Sequence, residues 1–192
     1  AIDHFEVDGE IYFTGTIRDI TERKAAELAL RKLSVAVEQS PASIAITDTA
    51  GAIEYVNPRF CEVTGYAKEE LLGRNPRVLK SGHFNQEKYD DLWKTILSGH
   101  TWQGDFLNKK KNGELFWESA SISPILDAKG EITHFIGVKE DITERKKTDL
   151  MATRFGRILE DSLNEIYMFD AQTLKFVLVN SGARANTGYT MD

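Results

Sequence analysis

The six residues Asp19-Ile20-Thr21-Glu22-Arg23-Lys24 return unchanged as Asp141-Ile142-Thr143-Glu144-Arg145-Lys146, an interval of 122 residues. That interval is the size of a domain, well beyond the roughly 20 to 50 residues of a solenoid unit. Other landmarks keep the spacing. Ser40 returns as Ser162 and Asp48 as Asp170, while Asn57 returns as Asn180 and Gly65-Tyr66 as Gly188-Tyr189 after one inserted residue. On this repeat the chain divides into the C-terminal end of one module (1–21), a connector helix (22–39), a complete module (40–143), a second connector helix (144–161) and the N-terminal start of a third module (162–192). Neither partial module holds enough residues to bury a core alone, so both are expected to be poorly ordered or completed by residues outside the sequence.

Composition excludes several classes. With 41% hydrophobic and 28% charged residues the chain has an ordinary globular make-up. Its net charge of −6 argues against nucleic acid, where a basic face supplies most of the affinity. No apolar run reaches the roughly 18 to 20 residues that span a bilayer, and no signal-peptide pattern opens the chain, so a cytoplasmic location without membrane contact is expected. The single cysteine, Cys61, cannot form an internal disulfide, and His4, His83, His100 and His134 show no ligand spacing.

The connectors are expected to be helical from about Glu22 to Gln39 and from 144 to 161, each opened by the short polar side chain of Asp19 or Thr21, or its counterpart. Asp19 to Ser40 and Asp141 to Ser162 both span 21 residues. Since one residue more or less turns everything downstream by about 100°, equal connectors hold successive modules in one phase. Ala29, Leu33, Ala36 and Ser40, with Met151, Phe155, Ile158 and Ser162, fall at 3 to 4 spacing, the pattern of a parallel homodimeric coiled coil; a helix packed on its own module is the alternative.

Within the complete module, Ser43–Asp48 and Ile53–Val56 flank the turn Thr49-Ala50-Gly51 and read as a hairpin. Asn57-Pro58 opens a helix that Gly65 ends. A short helix follows at Lys68–Leu72, residues 74–84 read as loop, and Asn85 caps a helix with Tyr89, Leu92, Trp93 and Ile96 on its inner face. Strand patterns cover Trp102–Asn108, Leu115–Ile125 and Ile132–Val138, with the hairpin signal Asn112-Gly113 between the first two.

Two strands, several helices and three strands, with Asn57-Pro58-Arg59-Phe60, Thr64-Gly65-Tyr66, Gly73-Arg74-Asn75, Trp102-Gln103-Gly104, Lys111-Asn112-Gly113, Phe116-Trp117 and the closing Asp-Ile-Thr-Glu-Arg-Lys, resemble the PAS sensory domain family. The resemblance implies an α+β fold: a five-stranded antiparallel sheet in order 2-1-5-4-3, with helices over one face enclosing a small pocket. Residues 73–79 look like the flavin-contacting helix of the light-oxygen-voltage branch, but Pro76 stands where that branch has its adduct-forming cysteine. Asn108 matches an asparagine that bonds the flavin edge there, whereas Glu118 replaces a second asparagine and Lys139 the signalling glutamine. The stretch from Val78 to Asn108 is similar to FAD-binding PAS domains of nitrogen-fixation and methane-oxidation regulators.

FAD is therefore the implied cofactor, with no ligand as the alternative. The candidate contacts are Asn108, Trp102, Asn75, Glu118, Lys80 and Lys139. Duller readings stand beside them: Trp102 as a packing aromatic of its strand, Asn108 and Glu118 as solvated strand residues, Cys61 as a small buried apolar group. Haem held by His83 is disfavoured by its place in a glycine-containing loop. No Gly-rich phosphate loop, nucleophile triad or metal cluster marks an enzyme. The expected function is a redox or oxygen sensor within a regulator whose output domain, a histidine kinase or a cyclic-dinucleotide enzyme, lies in the same polypeptide; a ligand-free module for dimerisation and relay is the alternative.

Overall fold

The computed structural model describes residues 2–7, 9–15 and 18–188. A hairpin of β1 (Ile2–Val7) and β2 (Glu10–Gly15) precedes the connector α1 (Thr21–Glu38). The central module then runs β3 (Ser43–Asp48), β4 (Ile53–Val56), α2 (Pro58–Thr64), α3 (Lys68–Leu71), a 3-10 turn (Pro76–Leu79), α4 (Gln86–Leu97), β5 (Trp102–Lys109), β6 (Leu115–Leu126) and β7 (Ile132–Asp141). The connector α5 (Thr143–Glu160) leads to β8 (Tyr167–Phe169), β9 (Phe176–Val179) and α6 (Ser181–Thr187).

Five antiparallel strands form one sheet in the order β4-β3-β7-β6-β5, the α+β arrangement that the motifs imply, with β7 at its centre. Two buried clusters join the sheet to its helical cover. Phe60, Leu71 and Leu79 press on Ile53 and Val56 beneath α2 and α3. Under α4, Leu92 and Ile96 meet Trp102, Phe106, Ala120 and Phe135. Each large apolar side chain so buried stabilises the fold by about 1.5–3 kcal/mol.

Local chemistry sets the element ends. Asn85 Oδ1 accepts from Lys88 N to start α4, and Gly65, at φ 75°, takes the left-handed conformation that closes α2. Residues 76–79, read as loop, form a 3-10 turn because Asn75 Oδ1 accepts from Arg77 N at 3.1 Å and Pro76 supplies its fixed φ. Aspartate opens both connectors: Asp19 Oδ1 accepts from Thr21 N at 2.8 Å, and Asp141 Oδ1 from Thr143 N at 2.9 Å. This leaves Thr143 Oγ1 to accept from Trp117 N at 2.9 Å, so the helix start is fastened to β6. Lys146 extends the joint with an ion pair to Asp105 at 2.8 Å, and holds that carboxyl below its ordinary range.

Asn57 does far more than cap a helix. Its side chain is fully buried; Oδ1 accepts from Phe60 N and Ile44 N, and Nδ2 donates to Ala42 O and to Val37 O in the last turn of α1. Asn180 repeats the arrangement, accepting from Ile166 N and Ala183 N and donating to Leu159 O, Ser162 O and Asn164 O. A second tie, Tyr55 Oη donating to Glu38 Oε1 at 2.7 Å, also holds α1; partial burial, then this bond, push the Tyr55 hydroxyl up to about 12.

The connectors bury none of their own residues. Leu33, Met151, Phe155 and Ile158 are each more than half exposed. Asn57→Ala strands two buried amides and two carbonyls, so it is expected to lower stability by about 2–4 kcal/mol in urea unfolding. A loss under about 1 kcal/mol would show that the amide is dispensable.

Candidate ligand cavity

Period-two alternation aims one set of side chains from each strand at the helical cover. On β5 these include Trp102, Phe106 and Asn108, on β6 Phe116, Glu118 and Ala120, and on β7 Phe135, Gly137 and Lys139. Between this floor and α4 lies a cavity of about 260 Å³, near the lower end of the roughly 300–1,000 Å³ typical of small-molecule sites. Tyr89, Leu92, Trp93 and Ile96 from α4 form its roof, and Ala45, Ile122 and Phe135 part of its floor. Burial raises the Tyr89 hydroxyl above its ordinary pKa.

Asn75, Lys80, Asn108 and Lys139 all line this space. Asn108 is 7% exposed, so the solvent-facing reading is corrected: its strand phase turns it inward. Its Nδ2 donates to Glu118 Oε1 at 3.1 Å. Glu118 is 2% exposed, not a solvated strand carboxylate, and is ion-paired at 2.7 Å with Lys139, itself 8% exposed. Glu118 stands behind the lining as the acceptor that Asn108 and Lys139 share. Asn75 spends its oxygen on the 3-10 turn and on Arg77 Nε. The Lys80 ammonium rests 3.4 Å above the Tyr89 ring, and its backbone bridges to Asn108.

Trp102 does not line the cavity. Its indole folds over Gly104, tilts against Phe106 at 5.0 Å between ring centres, and donates Nε1–H to Asp91 Oδ2 at 2.8 Å. It therefore braces the Phe106 wall, which corrects the expectation that it contacts a bound ring. His83 lies exposed, edge-on to Phe84 and Trp117. Cys61, half-buried against the α2 cluster, has its thiol pushed up by burial. Gln86 was missed, although it precedes Tyr89, Trp93 and Ile96 on one helical face and the 3-to-4 spacing was legible.

The open edge of β5 is closed by the segment that carries Lys80. Ser81 Oγ donates to Leu107 O and Lys88 Nζ to Asp105 O, the latter over the Phe84 ring. An exposed strand edge that invites pairing is thereby blunted. Among the described residues no group of three or more His, Cys, Asp or Glu could hold a metal, and no helix is long and apolar enough to cross a membrane.

An α+β sheet with a cavity under its helical cover, held between two stiff connectors, defines a sensor-type module. Residues 41–144 match the PAS domain family, and the chain belongs to it. The nitrogen fixation regulatory protein of Klebsiella oxytoca is 34% identical over 130 residues, 68% of this chain and 26% of that protein. Blue-light-activated histidine kinase 1 of Erythrobacter litoralis is 36% identical over 101 residues, 50% of this chain and 28% of that protein. A solved RNA-binding light-oxygen-voltage receptor superposes with a TM-score of 0.62 at 28% identity, over 68% of this chain and 38% of that one. The chain thus spans about a quarter of the length of these curated relatives, and its residues 41–144 are a PAS sensory domain of the kind carried by signal-transduction proteins.

Lys139→Met would leave the Glu118 carboxylate buried without its cation and is expected to destabilise by about 3–5 kcal/mol, whereas Glu118→Leu combined with Lys139→Met recovers most of that loss. Additive losses in the double variant, measured by urea unfolding, would show that the two groups do not act as a pair.

Proposed function

We propose that the module at 40–143 is the sensing element of a multidomain regulator, and that its cavity holds the ring system of FAD, with oxidation state as the signal. The observation that carries this reading is Asn108: a buried amide at a cavity wall, whose Nδ2 is taken by Glu118 while Oδ1 has no partner among the described residues. That oxygen suits the ring N–H of a flavin. Phe106, Ile122 and Leu92 suit its faces, and the amide of Asn75 and the ammonium of Lys80 are polar groups for the rest of the molecule. A bound flavin supplies reversible electron transfer, while the protein binds and orients it. Lys139, on the cavity wall and paired to Glu118, is the residue through which a change in the charge or hydrogen bonding of the site reaches β7 and the start of α5. The output domain in this reading is a histidine kinase or a cyclic-dinucleotide enzyme of the same polypeptide.

One observation favours the ligand-free relay instead: every fully buried side-chain nitrogen and oxygen among the described residues has a partner, so the unpartnered Asn108 Oδ1 opens onto the cavity space, where solvent satisfies it without a guest. The visible spectrum of the purified chain separates the two. Blue-region bands that bleach with dithionite are expected, with roughly tenfold lower flavin occupancy in Asn108→Ala. A colourless protein that takes up no added FAD leaves the relay reading.

The exposed stripes Leu33, Met151, Phe155 and Ile158 support a homodimer through the connectors. Sedimentation is expected to give a dimer, and Leu33→Asp with Phe155→Asp a monomer; an unchanged dimer would place the interface elsewhere.

A further inference from the structure

Nine glycines lie between Gly51 and Gly137, and seven have a positive φ that explains them as turn or cap residues. The eighth, Gly104, is explained by its neighbour: a Cβ there would lie 2.6 Å from the Trp102 ring. Gly137 has neither reason. It sits in the middle of the central strand, where a glycine adds unfolded-state entropy and packs nothing. A Cβ built on it would meet Lys139 Cε at 3.6 Å, Ile122 Cγ1 at 3.9 Å and Ala45 O at 4.0 Å, all ordinary contacts. The protein alone would accept an alanine.

The missing side chain opens onto the cavity. Gly137 is in register with Ala45 on β3 and Ile122 on β6, and all three line the cavity beneath α4. A strip with no side chain at its centre is level, as a flat ring needs, and the unpartnered Asn108 Oδ1 stands at the same wall. We infer that Gly137 is a specificity-determining residue: it sets the height of a slot that admits a planar heteroaromatic ring between β7 and the roof formed by Tyr89, Leu92 and Trp93. This deepens the flavin reading and, for the ring's identity, rests on it.

The test is Gly137→Ala in the full chain, read in two ways that a purely structural glycine would not separate. With ligand stripped, the variant is expected to melt about 2–4 °C higher, because alanine restricts the unfolded chain and fits the folded one. FAD affinity is expected to fall roughly 10- to 200-fold, the range for one carbon too many in a tight site. Undiminished FAD affinity overturns the slot, and so does a variant that melts lower or loses its folded circular-dichroism signal, since the glycine would then serve the protein itself. Acridine, a flat tricycle without the flavin's polar edge, separates this inference from the reading beneath it. A parent chain that binds acridine but neither FAD nor FMN refutes the flavin reading, and loss of acridine binding in Gly137→Ala then upholds the slot, whereas retention overturns it. A parent that binds none of the three refutes both.

Discussion

A single side-chain amide fixes the frame of the molecule. An asparagine side chain has two donor hydrogens and an oxygen with two lone pairs, and Asn57 commits all four. The partners come from the end of α1, the loop before β3, the start of β3 and the start of α2, so one side chain ties four pieces of the chain together. This gives the equal spacing of the two connectors a physical reason. Val37 O and its counterpart Leu159 O must arrive at the amide in the same phase, and one inserted residue would swing the carbonyl about 100° out of reach.

The downstream joint is built differently. β7 runs without interruption from Phe135, Gly137 and Lys139 at the cavity to Asp141, where the chain turns into α5. Ile142 is buried and its amide donates to Trp117 O, while Trp117 N donates to Thr143 Oγ1, so β6 grips the turn from both sides. Beyond that grip the first turn of α5 is held to the sheet by the Lys146–Asp105 pair, more than a third exposed on its lysine side, with the same ammonium 5.1 Å over the Trp117 ring. Exposed pairs contribute about 0–1 kcal/mol. The upstream helix is thus locked by a buried amide and the downstream one by a strand terminus that also forms part of the cavity floor.

Much of this architecture was legible because it is local. Asn57-Pro58, Asn85 and Asn112-Gly113 announce their turns and caps whatever surrounds them, and the period of two along β6 puts Phe116, Glu118 and Ala120 on its buried face. What was not legible depends on partners distant in sequence. The amide of Asn57 reads as a cap because one of its four bonds is local; the other three reach 13 to 20 residues back. Glu118 and Lys139 are 21 residues apart, and only the register of β6 against β7, which pairs Lys139 with Ala120, sets them diagonally within reach. Trp102 was placed on the correct face but not in the correct direction, because the space that receives its indole is the missing side chain of Gly104.

The polar side of the cavity bears on how such a module can sense anything. A lone lysine in that wall would cost several kcal/mol in an empty state, so that the fold would depend on its guest. Glu118 removes this dependence by neutralising Lys139, and Asn108 donates a second bond to the same carboxylate oxygen, Oε1. The empty module is then a folded state in its own right. A switch needs two such states and a guest that favours one of them by its contacts, since equal affinity for both shifts nothing. Groups whose bonding the fold leaves unfinished are free to supply that difference, and at this cavity the spare oxygen of Asn108 is one of them, with Gly137 leaving room beside the strand floor.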